Sequence, residues 1–322
     1  MSRHFLELDD VSAVELDQIL AMAEAAELGP VLAGNGVALV FEKPSNRTRN
    51  STEMAVVGLG GHPVYIQGHE VGLDMREPAA DVARTLASYH RIICARVFDH
   101  GALERMADAL DGDGTEVPVV NLLSDRAHPC QAVGDLLTLR DAIATVKGGD
   151  GLVGHSLAYV GDANNVCRSL AMAAVMVGMD VRVAAPDGYQ LLPGDLDWLE
   201  DAARAAGRSG SVEALSDPFE AVDGVDAIYT DVWTSMGQEA ESLERLAAFE
   251  GYCVDDALLE AAGEGAVVLH CLPAHRGEEI AASVVDGERS VVWRQAAHRR
   301  TAMRGILAWL VATPAERAGV LP

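Results

Sequence analysis

The sequence predicts an α/β protein with two doubly wound domains, each built on a parallel sheet. Short apolar runs alternate with segments of helical apolar spacing, a pattern typical of strands joined by helical crossovers. The length of 322 residues exceeds that of a typical single domain, and the turn-rich stretch 147–151 lies near the middle. A hydrophobic content of 49% supplies enough apolar side chains for two cores. We therefore expect one domain over residues 1–145 and another over 146–322.

The first domain is predicted to begin with a helix over 11–28, capped by Asp9 or Asp10. Strands and helices then alternate. The predicted strands are 37–41, 62–66, 91–97 and 117–121, and the predicted helices are 50–59, 78–89, 101–110 and 128–142. Pro129 supports the start of the last helix, because proline is favoured in a first helical turn.

The second domain repeats the alternation. Its predicted strands are 156–160, 180–184, 227–230 and 266–270, and its predicted helices are 165–177, 195–206 and 296–311. We expect the last helix, about 296–311, to pack back on the first domain.

The composition is strongly acidic, with a formal net charge of −25, and only Lys43 and Lys147 among the 24 basic residues are lysines. This pattern is typical of a protein from a high-salt cytoplasm, where salt screens the repulsion between acidic groups, and a generic acidic protein is the alternative. The chain lacks the basic face that a nucleic-acid partner would require.

Five scattered cysteines without a CxxC pair predict neither a disulfide framework nor a zinc site. Residues 1–10 lack an apolar targeting core, and no run of 18 apolar residues predicts a membrane span. We therefore expect a soluble cytoplasmic protein without a membrane partner.

The most informative segment follows the first predicted strand. Ser45, Arg47, Thr48 and Arg49 come between that strand and the next predicted helix, where backbone N–H groups and the helix dipole favour an anion. Arginine forks match phosphate oxygens, and hydroxyl groups complete such a site. A small phosphate-bearing substrate is therefore our first hypothesis.

Polar clusters also follow later predicted strands in both halves. They include Arg96, the run 124–131, the run 161–165, the run 231–237 and the run 270–273. Ligands of open parallel sheets bind at the carboxyl ends of the strands. We therefore expect a cleft between the domains, with cationic donors on one wall and carboxylate and amide groups on the other.

Four motifs together resemble the aspartate/ornithine carbamoyltransferase family, most of all its ornithine branch. They are Ser45-Asn46-Arg47-Thr48-Arg49, His128-Pro129-Cys130-Gln131, the run 231–237 with sequence Asp-Val-Trp-Thr-Ser-Met-Gly, and His270-Cys271-Leu272-Pro273. The first two are shared by carbamoyltransferases generally, and the last two are more specific to the ornithine branch. Order and spacing agree with the family over about 28–310.

The resemblance implies carbamoyl transfer from carbamoyl phosphate to the side-chain amine of ornithine, giving citrulline and phosphate. The implied reaction requires neither a cofactor nor a metal. It also implies a homotrimer or a multiple of trimers, with small-molecule substrates as the other partners.

The resemblance also implies a role for individual residues. Carbamoyl phosphate would be bound by Ser45, Asn46, Arg47, Thr48, Arg96, His128, Gln131 and Arg299. Ornithine would be bound by Asn165, Asp231, Ser235, Met236, Cys271 and Leu272. Arg96, His128, Gln131 and Cys271 would be the catalytic residues.

The sequence departs from the family pattern in places. Asn46 stands where threonine is usual and Thr52 where phenylalanine is common. Leu122 and Arg168 replace a glycine and a small polar residue, and both are expected close to the ornithine pocket.

Two alternatives stay open beside ornithine carbamoylation. One is a carbamoyltransferase for another amine, such as putrescine or an acylated ornithine, and the other is a non-catalytic regulatory paralogue. A dinucleotide-binding protein is disfavoured because the run 161–166 lacks the second and third glycines of the G-x-G-x-x-G motif. The run 275–279 is interpreted as mostly structural.

Overall fold

The computed structural model describes residues 3–149, 151–234 and 239–320. By contacts the chain divides into unit 1, Met1–Gly134 with Ala297–Pro322, and unit 2, Asp135–Ala296. The two divisions fall inside helices, because one helix spans Pro129–Lys147 and another spans Val292–Val311.

Strands and helices alternate through the first half of the chain. The elements are α1 (Ala13–Glu24), β1 (Gly36–Phe41), α2 (Asn46–Gly58), β2 (His62–Gln67), α3 (Gly68–Val71), α4 (Ala79–Ala87), β3 (His90–Arg96), α5 (His100–Gly112), β4 (Val119–Leu123) and α6 (Pro129–Lys147).

The second half continues with β5 (Ser156–Val160), α7 (Asn165–Met176), β6 (Asp180–Ala184), α8 (Pro193–Ala206), β7 (Ser211–Leu215), α9 (Pro218–Val222), β8 (Ala227–Thr230), α10 (Ser242–Ala248), α11 (Asp256–Ala261), β9 (Val267–His270), α12 (Ala282–Val285), α13 (Val292–Val311) and α14 (Pro314–Ala318). Short 3-10 helices lie at Leu8–Asp10 and Glu239–Glu241. None of the helices in the described ranges is long and apolar enough to cross a membrane.

Unit 1 contains a four-stranded sheet in the order β2-β1-β3-β4, and all neighbours are parallel. Residues 37–41 of β1 are buried, as expected for a strand covered on both faces. The chain passes from β1 to β2 on one side of β1 and then continues to β3 on the other side. The direction in which strands are added therefore reverses between β1 and β3, which makes this position the switch point of the sheet. Ligands of doubly wound sheets bind at such a switch point, beyond the carboxyl ends of the strands.

Unit 2 contains a five-stranded parallel sheet in the order β7-β6-β5-β8-β9. Its switch point lies between β5 and β8. Trp233 stacks on Phe249 with ring centroids 5.3 Å apart in a core beside this end of the sheet. Two parallel-sheet α/β units confirm the predicted fold class.

Several elements differ from the sequence expectation, among them the short helices α3, α9, α10, α11, α12 and α14, which were not predicted. Helix α2 begins at Asn46, not at residue 50, because the Ser45 hydroxyl accepts a hydrogen bond from the Thr48 N–H at 3.3 Å and caps the helix. Strand β7 was not predicted, since it is a largely exposed edge strand without an apolar run.

Candidate functional site

The switch point of unit 1 carries a helix N-terminus surrounded by basic side chains. Ser45 caps α2, and Arg47 and Thr48 lie in its first turn, with Thr48 buried and Arg47 half-buried. The first N–H groups of a helix have no partner within the helix, and the dipole favours negative charge there. Asn46 is exposed, and its Oδ1 accepts a hydrogen bond from Asn50.

Arg299 joins three elements of unit 1. Its Nη2 donates to Thr48 Oγ1 at 2.9 Å, and its Nη1 donates to Gln131 Oε1. Arg299 and Gln131 are 5% and 1% exposed, so this guanidinium is held inside the protein by α2, α6 and α13. A buried cation with donors directed to neighbouring elements is suited to binding a multiply charged anion.

His128 precedes α6 and is 4% exposed. Burial lowers its pKa well below the ordinary value, and the positive charges of Arg299, Arg96 and Arg47 lower that pKa further. The imidazole is therefore neutral at physiological pH and can donate one hydrogen bond from its protonated nitrogen. The same three arginines lie close enough to His128 to make this region strongly cationic.

The loop between β4 and α6 fixes the position of His128. Asn121 Nδ2 donates to Leu6 O at 2.9 Å, to Ser124 Oγ at 3.1 Å and to Ala127 O at 3.3 Å. The Ala127 N–H in turn donates to Ser124 Oγ at 3.2 Å. Because Asn121 and Ser124 are fully buried, these bonds hold the segment before His128 in one conformation.

Asp231 is the centre of the site in unit 2, directly after β8. Its Oδ1 accepts from the Val232 N–H and from Cys271 Sγ, both at 2.8 Å, and its Oδ2 accepts from Asn164 Nδ2 at 3.1 Å. Asp231 is 5% exposed. Three donors thus orient one carboxylate at the switch point of the sheet.

Asn164 also caps a helix, a role that was not predicted from the sequence. Its Oδ1 accepts from the N–H groups of Val166 and Cys167 at 2.9 and 3.2 Å and caps α7. The predicted residue Asn165 is the first residue of that helix and is half-buried. The sequence feature that could have identified Asn164 as a cap is the Asn-Asn pair at the start of a predicted helix, because asparagine is a favoured N-cap residue.

Cys271 and Leu272 follow β9 and are half-buried. Of the six predicted ornithine ligands, Ser235 and Met236 lie outside the described residues. Asp231 and Cys271 are in direct contact, and Leu272 is joined to the neighbouring His270 by a hydrogen bond from its N–H to Nδ1 at 2.8 Å.

Asp231, His270 and Cys271 have potential metal-ligand atoms within 4.8 Å of one another. Both ring nitrogens of His270 are already engaged, Nδ1 by the Leu272 N–H and Nε2 by Glu279 Oε1 at 3.0 Å. This arrangement leaves the imidazole no lone pair for a metal ion.

Three departures from the family pattern can be placed in the structure. Arg168 Nη2 lies 3.0 Å from Asp195 Oδ1, and its guanidinium lies over the Trp198 ring at 5.3 Å, so it pairs α7 with α8. Leu122 is fully buried in β4 of unit 1. Thr52 is fully buried in α2.

The sequence matches two parts of one protein family. Residues 3–141 match the aspartate/ornithine carbamoyltransferase carbamoyl-P binding domain, and residues 153–310 match the Asp/Orn binding domain. A curated ornithine carbamoyltransferase of Acidothermus cellulolyticus is 46% identical over 318 residues, which are 97% of each protein.

Solved structures show the same similarity. Ornithine carbamoyltransferase from Pyrococcus furiosus has a TM-score of 0.86 at 42% identity, over 95% of this chain and 96% of that chain. An acetylornithine transcarbamylase complexed with acetylcitrulline has a TM-score of 0.82 at 29% identity, over 96% of this chain and 99% of that chain.

Proposed function

The chain belongs to the aspartate/ornithine carbamoyltransferase family, and we propose that it transfers the carbamoyl group of carbamoyl phosphate to the side-chain amine of L-ornithine, giving L-citrulline and phosphate. The observation that carries this proposal is the cationic cluster at the β1/β3 switch point, where Arg299 joins Thr48 to Gln131 beside a neutral His128. Such a cluster suits a small substrate with a phosphate at one end and a neutral amide at the other.

The phosphate would be bound by Ser45, Asn46, Arg47, Thr48, Arg96 and Arg299. Neutral His128 would donate to the carbamoyl oxygen, where negative charge develops as the amine attacks. Gln131 Oε1 accepts from Arg299 and keeps a second lone pair for the carbamoyl NH2. The same cationic groups would stabilise the departing phosphate.

Ornithine would be bound by Asn165, Asp231, Ser235, Met236, Cys271 and Leu272. The Asp231 carboxylate would pair with the α-ammonium group of the substrate. Cys271 and the Leu272 carbonyl would lie near the attacking amine, which must be deprotonated to react. Activity should therefore rise with pH from neutrality upward.

An acylated ornithine is the second candidate substrate, since an acetylornithine transcarbamylase is among the similar structures. The buried carboxylate of Asp231 favours ornithine, because acylation of the α-amine removes the positive charge that would pair with it. Putrescine lacks an α-ammonium and an α-carboxylate altogether. A non-catalytic paralogue is disfavoured because Arg47, His128 and Asp231 are all present.

We also propose that the assembly is a homotrimer or a multiple of trimers, and that the enzyme works in the cytoplasm without a cofactor or metal. The family resemblance supports each of these statements. The direction of the reaction in arginine metabolism would follow from metabolite concentrations.

The test is citrulline formation from carbamoyl phosphate and ornithine in molar KCl, with putrescine and acetylornithine in parallel. We expect turnover with ornithine alone. Turnover with another amine would retain the carbamoyl phosphate site and reassign the second pocket. Absence of turnover with every amine would favour the non-catalytic paralogue.

A further inference from the structure

Leu272 has an unusual backbone conformation, with a φ of +61°. A branched side chain is disfavoured in this left-handed region, and such residues persist where the surroundings hold them and cluster at functional sites. Leu272 also lies directly after Cys271, whose Sγ donates to Asp231 Oδ1 at 2.8 Å. The conformation of this turn therefore affects the orientation of two proposed ornithine ligands.

The turn is held by the imidazole of His270. Its Nδ1 lies 2.8 Å from the Leu272 nitrogen, and a backbone N–H can only donate, so Nδ1 must be the unprotonated nitrogen. The proton of neutral His270 is therefore on Nε2, which lies 3.0 Å from Glu279 Oε1. These two contacts assign the tautomer.

Glu279 is the second part of the arrangement. Its side chain and that of His270 are completely buried, at 0% exposure. The same Oε1 that accepts from His270 also accepts from the His275 N–H at 2.6 Å, whereas Oε2 is buried and accepts no hydrogen bond from the residues that the structure describes. Burying a carboxylate in this way is costly, which suggests that its contact with His270 has a specific use.

We propose that Glu279 and His270 are positioning residues for ornithine. Glu279 holds the Nε2–H tautomer of His270, and Nδ1 of that tautomer holds left-handed Leu272 in place. The Leu272 carbonyl then accepts an N–H of the attacking amine and directs its lone pair toward the carbamoyl carbon. This inference rests on the proposed function, which places the Leu272 carbonyl beside the amine.

The series of contacts from Glu279 through His270 to Leu272, which we call the relay, does not act as a catalytic acid or base. His270 cannot gain a proton on Nδ1 without losing the Leu272 N–H bond, so it acts through the backbone and not by proton transfer to substrate. Small displacements of a reacting group cost large factors in rate. Loss of the relay should therefore impair ornithine use specifically.

The first test is the kinetics of Glu279→Ala, with each substrate varied while the other is saturating. We expect kcat/KM for ornithine to fall roughly ten- to a hundredfold, whereas KM for carbamoyl phosphate stays within about twofold. Glu279→Gln should restore most of the activity, because an amide oxygen still accepts from Nε2–H and from the His275 N–H. An equal effect on both substrates, or no rescue by glutamine, would overturn the proposal.

Glu278→Ala is the matched control. The two glutamates are adjacent, but 42% of the Glu278 side chain is exposed, and its Oε2 lies 3.5 Å from His275 Nδ1. We expect wild-type kinetics from this variant. A loss equal to that of Glu279→Ala would show that any disturbance of the loop is sufficient and would remove the specific role of Glu279.

A spectroscopic test keeps the proposal falsifiable if Glu279→Ala does not fold. In substrate-free protein labelled with [15N]histidine, His270 should show a protonated Nε2 and an unprotonated Nδ1, and the signal is assigned by its loss in His270→Asn. Glu279→Gln should retain this tautomer. An Nδ1–H tautomer or an imidazolium in the wild type at pH 7.5 would refute the relay.

The two proposals fail in different ways. If the wild type does not carbamoylate ornithine, the proposed function fails and the ornithine role of Glu279 fails with it. If the wild type does so and Glu279→Ala has unchanged kinetics, only the positioning role is wrong.

Discussion

At the scale of single residues, Arg299 connects two other residues of the proposed phosphate site. Its guanidinium donates to Thr48 and to Gln131 at once, and a lysine ammonium cannot reproduce that fork. We expect Arg299→Lys to raise KM for carbamoyl phosphate roughly ten- to a hundredfold in steady-state assays, with little change in KM for ornithine. Arg300→Lys, at an exposed position on the same helix, is the control, and an unchanged KM in Arg299→Lys would contradict the assignment.

Asp231 permits the complementary experiment in unit 2. Asp231→Asn keeps the size of the side chain but removes the charge that would pair with the α-ammonium of ornithine. We expect KM for ornithine to rise at least about tenfold and KM for carbamoyl phosphate to change little. Asp197→Asn, on the exposed face of α8, should behave as the wild type. Equal losses for both substrates would show that Asp231 does not bind ornithine specifically.

His128 predicts a pH dependence of stability. Burial depresses its pKa in the folded state, whereas the unfolded chain takes up the proton near the ordinary value of 6.5. The stability contributed by neutral His128 is therefore present above pH 6.5 and is lost as the pH falls below it, by at most about 1.4 kcal/mol per pH unit. In urea unfolding at pH 7.5 and 5.5, His128→Asn should lose less stability than the wild type. An equal loss of stability in His128→Asn and in the wild type would contradict the prediction.

Several of these residues could be identified from the sequence as candidate site residues, because they lie in short local motifs. Thr48 and Gln131 lie in short motifs, and the structure brings both to Arg299, although 251 residues separate Arg299 from Thr48. Glu279 could not be identified in the same way. A glutamate in a charged run usually faces solvent, and only the fold shows that this one is completely buried against His270.

At the scale of elements, the approach of α13 to α1 depends on Gly305. A Cβ at this position would lie 2.7 Å from both Ala23 Cβ and Ile19 O, so one helix would have to move. We expect Gly305→Ala to lower the free energy of unfolding by roughly 1–3 kcal/mol, measured by denaturant titration.

Gly112→Ala is the matched control for that substitution. Gly112 is the last residue of α5, and a Cβ there would meet nothing within 4 Å. This variant should be neutral or more stable by up to about 1 kcal/mol, because alanine reduces the entropy of the unfolded chain. Equal destabilisation by both substitutions would exclude the close approach of α13 as the cause.

Elements could be predicted where burial leaves a recognisable apolar pattern in the sequence, and they were missed where the side chains are exposed or polar. Strand β1 is an uninterrupted apolar run and was located within one residue. Strand β7 exposes most of its side chains, and the first turn of α2 is polar, so neither shows the expected period. Tertiary pairing and the Ser45 cap determine these two features.

At the scale of the whole molecule, the acidic surplus predicts a dependence on salt. The net charge of −25 creates self-repulsion that counterions screen. We expect the thermal midpoint to rise between 0.1 and 2 M KCl, measured by circular dichroism. A midpoint independent of KCl would contradict this expectation and favour a generic acidic protein. Replacing KCl with an uncharged osmolyte at equal osmolality distinguishes screening from general stabilisation.

The alternation of strands and helices predicted two parallel-sheet units, and the structure has two. The positions at which contacts divide the chain are less visible in the sequence. They fall at Gly134 and Ala297, inside continuous helices, where neither a glycine-rich linker nor a change in composition marks them.

The division of the chain has a consequence for biosynthesis. Unit 2 is one continuous segment, whereas unit 1 combines residues that precede unit 2 with residues that follow it. Domains fold as units during translation, so a ribosome-bound chain can complete unit 2 while unit 1 still lacks α13. Arg299 follows unit 2 in the chain, so its bonds to Thr48 and Gln131 form only after unit 2 has been synthesised. The proposed anion site would therefore be completed only after unit 2 has left the ribosome.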